Sequence, residues 1–240
     1  MKHTVILIPA YKPNSALVTL TAELHSRGFA IVCVDDGGGS AFDPIFREVE
    51  AYADVLRYPK NKGKGGALKY GMNHILSSEK YASFTSVVTA DADGQHKPDD
   101  IERTASAIEE NGGLVLGVRH FTGKVPFRSR FGNSMTKIVF ALASGKKLTD
   151  TQTGLRGMRI SDLPLHTSVP GEKYEYEMNV LFAAVKSGTE ITEIPIETVY
   201  ENNNESSHFH PIRDSYRIYK SIFLSRSMVK KLDIPKGSIK

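Results

Sequence analysis

Short apolar, β-branched runs alternate with stretches of helical periodicity along the first half of this chain, and that alternation restricts the fold more than any other feature. The candidate strands are 5–9 (VILIP), 30–34 (AIVCV), 55–58 (VLRY), 86–90 (SVVTA) and 114–118 (LVLGV). Between the first two, residues 14–27 place Leu17, Leu20 and Leu24 on one helical face, with Asn14 or Ser15 as N-cap. Residues 42–52 repeat the pattern through Ile45, Phe46 and Val49. Pro98 suits a first helical turn, followed by a stripe of Ile101, Thr104, Ala105 and Ile108. Strands that are apolar throughout need helices on both faces, so the pattern predicts an α/β domain with a mostly parallel, doubly wound sheet.

Beyond about residue 120 the rhythm changes. Residues 131–143 and 174–186 read as helices, and 191–199 (ITEIPIETV) alternates as a strand whose Pro195 favours a sheet edge. Residues 202–207 (NNNESS) form a polar loop. With no internal repeat and no long linker, the 240 residues read as one domain over 1–211 and a C-terminal basic amphipathic helix and tail over 212–240. Cys33 is the sole cysteine, which excludes a disulfide framework and suits a reducing compartment. No segment reaches the roughly 18 apolar residues of a membrane span. The formal charge of +4 leaves two readings, a solvated lysine-rich surface or a face for anions. No nucleic-acid motif or aromatic-studded basic stripe is present, so nucleic acid is not an expected partner.

Parallel α/β sheets bind ligands at the carboxyl ends of their strands. Three strand ends are chemically unusual: Pro9-Ala10-Tyr11, Asp35-Asp36 followed by three glycines, and Asp91-Ala92-Asp93-Gly94-Gln95-His96. In extended backbone, residues two apart share a side, so Asp91, Asp93 and Gln95 could converge on one hard cation, Mg²⁺ or Mn²⁺. Asp-x-Asp also occurs in ordinary turns and caps. Asp35 or Asp36 could accept hydrogen bonds from a base or ribose. The run 37–39 is not a dinucleotide fingerprint, since Phe42 stands where the third glycine belongs. Residues 63–69 (GKGGALK) lack the ending of a P-loop, which leaves a structural turn as the simpler reading. Arg119, Lys124, Arg128 and Arg130 crowd a dozen residues and suit either phosphate recognition or a solvated basic loop. Neither a Gly-x-Ser-x-Gly motif nor a zinc-spaced Cys/His set is present.

Eight segments in this order, IPAY, VDDGGGS, NKGKGGALKYG, DADGQHKPD, GVRHF, RSRFGNS, TDTQTGLRGMR and YEYEMNVL, resemble the family 2 glycosyltransferases, in particular their polyprenyl-phosphate branch. The resemblance spans residues 5–219. It implies a GT-A fold, a single Rossmann-like domain with a mostly parallel central sheet. It also implies a metal-dependent hexosyltransferase that moves a sugar from GDP-mannose, UDP-glucose or UDP-N-acetylglucosamine to a polyprenyl phosphate with inversion. Carried over by position, Pro9, Tyr11, Asp35, Asp36, Lys64, Asp91 and Ala92 face the donor. Asp91, Asp93 and Gln95 hold the metal, Mg²⁺ or Mn²⁺. Arg119, Arg130 and Ser134 hold the acceptor phosphate, and Asp93, Arg119 and Arg130 carry the catalytic burden.

Three departures from the pattern stand out. An acidic residue expected two after the tyrosine is Pro13 here. The C-terminal lysine region is replaced by ESSHFHPIRDS, in which His208 and Arg213 are the candidate substitutes. Many relatives continue into membrane helices, and these residues contain none. Residues 212–232 interleave Tyr216, Tyr219, Ile222, Phe223 and Met228 with Arg213, Arg217, Lys220, Arg226, Lys230 and Lys231. Such a helix fits an anionic membrane surface, packing on the domain, or an oligomer contact. The expectation is a cytoplasmic protein, peripheral at the membrane. The alternatives are a same-fold enzyme acting on a sugar, lipid or protein hydroxyl with Asp150, Glu175 or Glu177 as base, and a catalytically silent nucleotide-sugar binding protein.

Overall fold

The computed structural model describes residues 2–119 and 127–197, with the helical backbone alone over 127–135. The described elements run β1 (Thr4–Ala10), α1 (Ala16–Ser26), β2 (Ala30–Asp35), α2 (Asp43–Val49), β3 (Asp54–Arg57), α3 (Lys64–Ser77), β4 (Ser86–Thr89), α4 (Pro98–Asn111) and β5 (Leu114–Arg119). They continue with α5 (Phe127–Ser144), β6 (Arg156–Arg159), α6 (Leu163–Ser168), α7 (Glu175–Ser187) and β7 (Ile191–Ile196). The strands form one sheet in the order β3-β2-β1-β4-β6-β5-β7. Every neighbouring pair is parallel except those of β6, which runs antiparallel to both β4 and β5.

Alternation along β1 divides the core between the two faces of the sheet. Val5 and Leu7 pack with Ala67, Leu68, Met72 and Ile75 of α3 and with the buried residues of α7. Ile6 and Ile8 pack on the opposite face with Leu17, Leu20 and Leu24 of α1, Phe46 of α2, and Ile101 and Ile108 of α4. Cys33 lies in this second layer, where burial pushes its thiol up to about 12 and makes it a core residue. At the start of α1 it is Asn14 that caps, accepting the Ala16 N–H at 2.9 Å, while Ser15 makes no side-chain cap bond. Among the described strands β7 lies at the sheet edge, which suits Pro195, a residue that lacks an N–H.

Two elements differ from the sequence expectation. The run 63–69 is no isolated turn, because α3 starts at Lys64 and continues for 14 residues. Glycine is a weak helix former, and three of them hid the stripe Leu68, Met72, Ile75 that drives the helix into the core. Gly65 is needed for close approach, since a Cβ there would overlap the Tyr176 side chain on α7. The second is β6, whose four residues RGMR carry almost no apolar signal, yet each pairs with a residue of β4. The strand expected over 191–199 ends at Ile196; residues 198 and 199, the loop at 202–207, His208, Arg213 and the whole 212–240 segment lie outside the described residues. No helix among the described residues is long and apolar enough to cross a membrane.

Candidate active site

The carboxyl ends of β1, β2, β4 and β5 open on one edge of the sheet. β1 sits between β2 on one side and β4 on the other, so the strand order reverses there, and a crevice forms at such a switch point. Because β6 runs the opposite way, it begins at this same edge. The 145–155 loop that precedes it is thereby carried into the crevice.

At the β1–β2 side, Pro9 is half-buried, and Tyr11, just past the strand, is 42 % exposed at the lip. Asp35 pairs with Ala10 across the strands and accepts the Gly38 N–H at 2.9 Å, which shapes the glycine turn. Asp36 is engaged more fully. Its Oδ1 accepts the Tyr58 hydroxyl at 2.6 Å and the Lys62 N–H at 2.8 Å; its Oδ2 accepts from Asn61 Nδ2 and the Gly63 N–H, both at 2.9 Å. Burial and the adjacent Asp36 push the Tyr58 phenol well above its ordinary range. Asp36 thus fastens the 58–63 segment and the start of α3 to the end of β2.

At the β4 side the local geometry departs from the extended form assumed from sequence. The strand stops at Thr89, and residues 92–94 turn, with Gly94 at φ 77°. Asp91 and Asp93 are therefore brought together by a turn rather than by strand alternation. The Asp91 carboxylate meets Lys64 Nζ at 2.6 Å through Oδ1 and His96 Nε2 at 3.2 Å through Oδ2. It rests on the backbone of Gly154, where any Cβ would overlap it. Asp93 Oδ1 accepts the Gln95 N–H at 3.1 Å.

Lys64 also reaches Glu177 Oε1 at 3.0 Å, so one ammonium bridges two carboxylates. Burial opposes charge on both Lys64 and Asp91. Their pairing overrides it, holding Asp91 far below the usual carboxylate range and Lys64 above the usual lysine range. Burial and the like charge of Asp91 raise Asp93. A cation near both carboxylates would relieve that repulsion. Two hard carboxylates, with Gln95 directly after the turn, are a donor set that suits a hard divalent cation. Lys64 is a built-in cation on one of them. Among the described residues no three His, Cys, Asp or Glu side chains form a closed metal cage.

At the β5 side Arg119 is forked by Asp150, Nε to Oδ2 at 2.7 Å and Nη2 to Oδ1 at 3.2 Å. The Asp150 side chain is fully buried and also accepts the Gln152 N–H at 2.9 Å. Residues 130 and 134 fall one helical turn apart on α5, and the side chains of Arg130 and Ser134 lie outside the described residues. Lys124 lies outside them as well.

Reading the sequence missed Arg156. Only 3 % exposed, it donates from Nε to the Thr153 carbonyl at 2.9 Å and from Nη1 to the Glu177 carbonyl at 2.6 Å. The signal available was an arginine between two apolar positions in TGLRGM, a pattern that a buried cation produces.

Residues 5–163 match the family model described as glycosyl transferase family 2. The chain belongs to this glycosyltransferase family. Over 221 residues, covering 83% of this chain and 86% of the relative, it is 30% identical to the UDP-N-acetylglucosamine–dolichyl-phosphate N-acetylglucosaminyltransferase of Methanococcus voltae. It is 24% identical to the polyprenol monophosphomannose synthase of Mycolicibacterium smegmatis, with 81% of this chain and 77% of that one aligned. Among solved structures it superposes on glucosyl-3-phosphoglycerate synthase from Mycobacterium tuberculosis, crystallised with Mn²⁺, UDP and phosphoglyceric acid, at a TM-score of 0.67. That alignment covers 98% of this chain and 80% of the other at 16% identity, which establishes the shared GT-A fold. The glycosyltransferase reading and the fold expected from the eight sequence segments both hold.

Proposed function

We propose that this glycosyltransferase moves a sugar from a nucleotide-sugar donor to a polyprenyl phosphate, by single displacement with inversion. The observation that carries the choice of acceptor is the state of the three carboxylates that a hydroxyl acceptor could use as a base. Asp150 is forked onto Arg119, Glu177 is paired with Lys64, and Glu175 accepts the Glu172 and Lys173 N–H groups at 3.3 Å. A phosphate monoester has its second pKa near 6 and is already an anionic nucleophile at neutral pH, so it needs no such base. Two relatives, one named for dolichyl phosphate and one for polyprenol monophosphomannose, support the same choice.

In this reading the end of β1 and Asp35 receive the nucleoside, with Pro9 and Tyr11 as its wall. Asp91 and Asp93, assisted by Gln95, would hold a divalent cation, which supplies Lewis-acid neutralisation of the departing diphosphate. Ala92 lies in the same turn, against the donor. Lys64 adds positive charge beside the diphosphate. Arg119, oriented by Asp150, presents its guanidinium to the acceptor phosphate together with Arg130 and Ser134. Two anionic substrates are thus held between fixed cations, and catalysis is positioning and charge stabilisation. Arg130→Ala should chiefly raise the KM for the lipid. Residues 212–232 supply the basic amphipathic stretch that would bring the site to an anionic bilayer.

The test is nucleotide release from GDP-mannose, UDP-glucose and UDP-N-acetylglucosamine, with Mg²⁺ or Mn²⁺, with and without a polyprenyl phosphate. Release that requires both metal and lipid phosphate supports the reading and identifies the donor. Release that requires a sugar or protein hydroxyl instead would overturn the acceptor assignment.

A further inference from the structure

Lys64 is a tethered cation placed where an incoming metal ion would have to compete with it. Its ammonium lies 2.6 Å from Asp91 and 3.0 Å from Glu177, and its side chain is only 17 % exposed. If a divalent cation takes Asp91, Lys64 must give up that contact without being stranded. A buried ammonium left beside a metal ion with no carboxylate of its own would be strongly unfavourable.

Resting on the metal reading above, we propose that Glu177 is a positioning residue that gives Lys64 a second seat, allowing its ammonium to release Asp91 to the cation. The surrounding structure keeps that seat in place. The Glu177 carbonyl is held by Arg156 Nη1 at 2.6 Å, and Arg156 is itself anchored on Thr153. The neighbouring Tyr176 hydroxyl donates to the His166 carbonyl at 3.0 Å. The Gly66 N–H donates to the Glu172 carbonyl at 2.8 Å, locking the start of α3 to the segment that leads into α7. Lys64 and Glu177 therefore ride on elements fixed to each other, while Asp91 projects from the turn after β4. Moving from the bridge to Glu177 alone costs Lys64 one contact and no backbone change. With Glu177 neutral, Asp91 becomes the only carboxylate paired with Lys64 among the described residues, and metal binding must displace the ammonium outright.

Mn²⁺ binding to the metal-free protein, followed by electron paramagnetic resonance of the unbound ion, tests this without turnover. Glu177→Gln should weaken Mn²⁺ binding about tenfold, and Lys64→Met should tighten it. In the Lys64→Met background, adding Glu177→Gln should change binding less than about threefold, because the effect acts through Lys64. Glu177→Asp keeps the charge and should stay within about threefold of wild type, so the proposal remains open to refutation even if Lys64→Met does not fold. Equal weakening by Glu177→Gln in both backgrounds would make Glu177 a plain source of negative potential and overturn the proposal. Unchanged Mn²⁺ affinity with a lower melting temperature would make it a strut between α3 and α7, and would overturn it as well. If wild type binds no Mn²⁺, the metal site itself fails, and this proposal falls with it.

Discussion

An aspartate pair lies in each of two neighbouring regions of the crevice, and one member of each is held by a different kind of partner. Asp36, at the end of β2, is satisfied by a phenol, an amide and two backbone N–H groups, all from the 58–63 segment. Asp91, after β4, is satisfied by side chains, the Lys64 ammonium and the His96 ring. Backbone donors cannot leave without unfolding the segment that carries them, whereas an ammonium on a four-carbon stem can. The same sequence signal, an acid after an apolar strand, therefore builds a joint in one place and an exchangeable site in the other.

The largest expected effect lies at the exchangeable end. Asp93→Ala should lower turnover about 1,000-fold or more while leaving the melting temperature close to wild type. Near-normal, metal-dependent turnover would remove Asp93 from the site. Asp36→Ala should show the reverse pattern. It removes the acceptor of four part-buried hydrogen bonds, from Tyr58, Asn61, Lys62 and Gly63, and urea unfolding should reveal a loss of about 2 kcal/mol. If it instead abolishes nucleotide binding with stability unchanged, Asp36 is a ligand and the contrast collapses.

Acid should sharpen the contrast further, because His166 lines the same small cavity as Glu177. Burial, with Arg156 nearby, lowers its pKa to about 4 from an ordinary 6.5. His166 is therefore neutral in the fold, while the unfolded chain takes up its proton below about pH 6.5. Its stability contribution is fully present above pH 6.5 and is lost as pH falls toward 4, by at most about 3 kcal/mol. Urea midpoints measured from pH 7 to 4 should flatten in His166→Gln. An unchanged slope would show that other groups set the acid response. The smallest effect is expected away from both pairs, at Asn14→Ala, where loss of the α1 cap should cost about 1 kcal/mol and leave activity alone.

What the sequence disclosed follows the same physical lines. The parallel strands and α1, α2 and α4 were legible because strands covered on both faces must be apolar throughout and their helices must be amphipathic. β6 was not legible: a four-residue strand between two others takes its stability from neighbours rather than from its own pattern. α3 was obscured because Gly65 is there for contact with Tyr176, at a cost in helix propensity. At the site, local motifs picked out Asp91, Asp93 and Arg119. The pairings that hold the site together, Lys64 with Glu177 and Asp150 with Arg119, join residues 113 and 31 apart in sequence, respectively, and only the sheet topology brings them together. Lys64 itself was legible only through the family resemblance.

The most direct test of the account is the product. Wild-type protein incubated with the donor that supports nucleotide release, a divalent metal and a polyprenyl phosphate should yield a lipid whose mass rises by one sugar residue while its single phosphate is kept. Nucleotide release with the lipid phosphate recovered unchanged would contradict it.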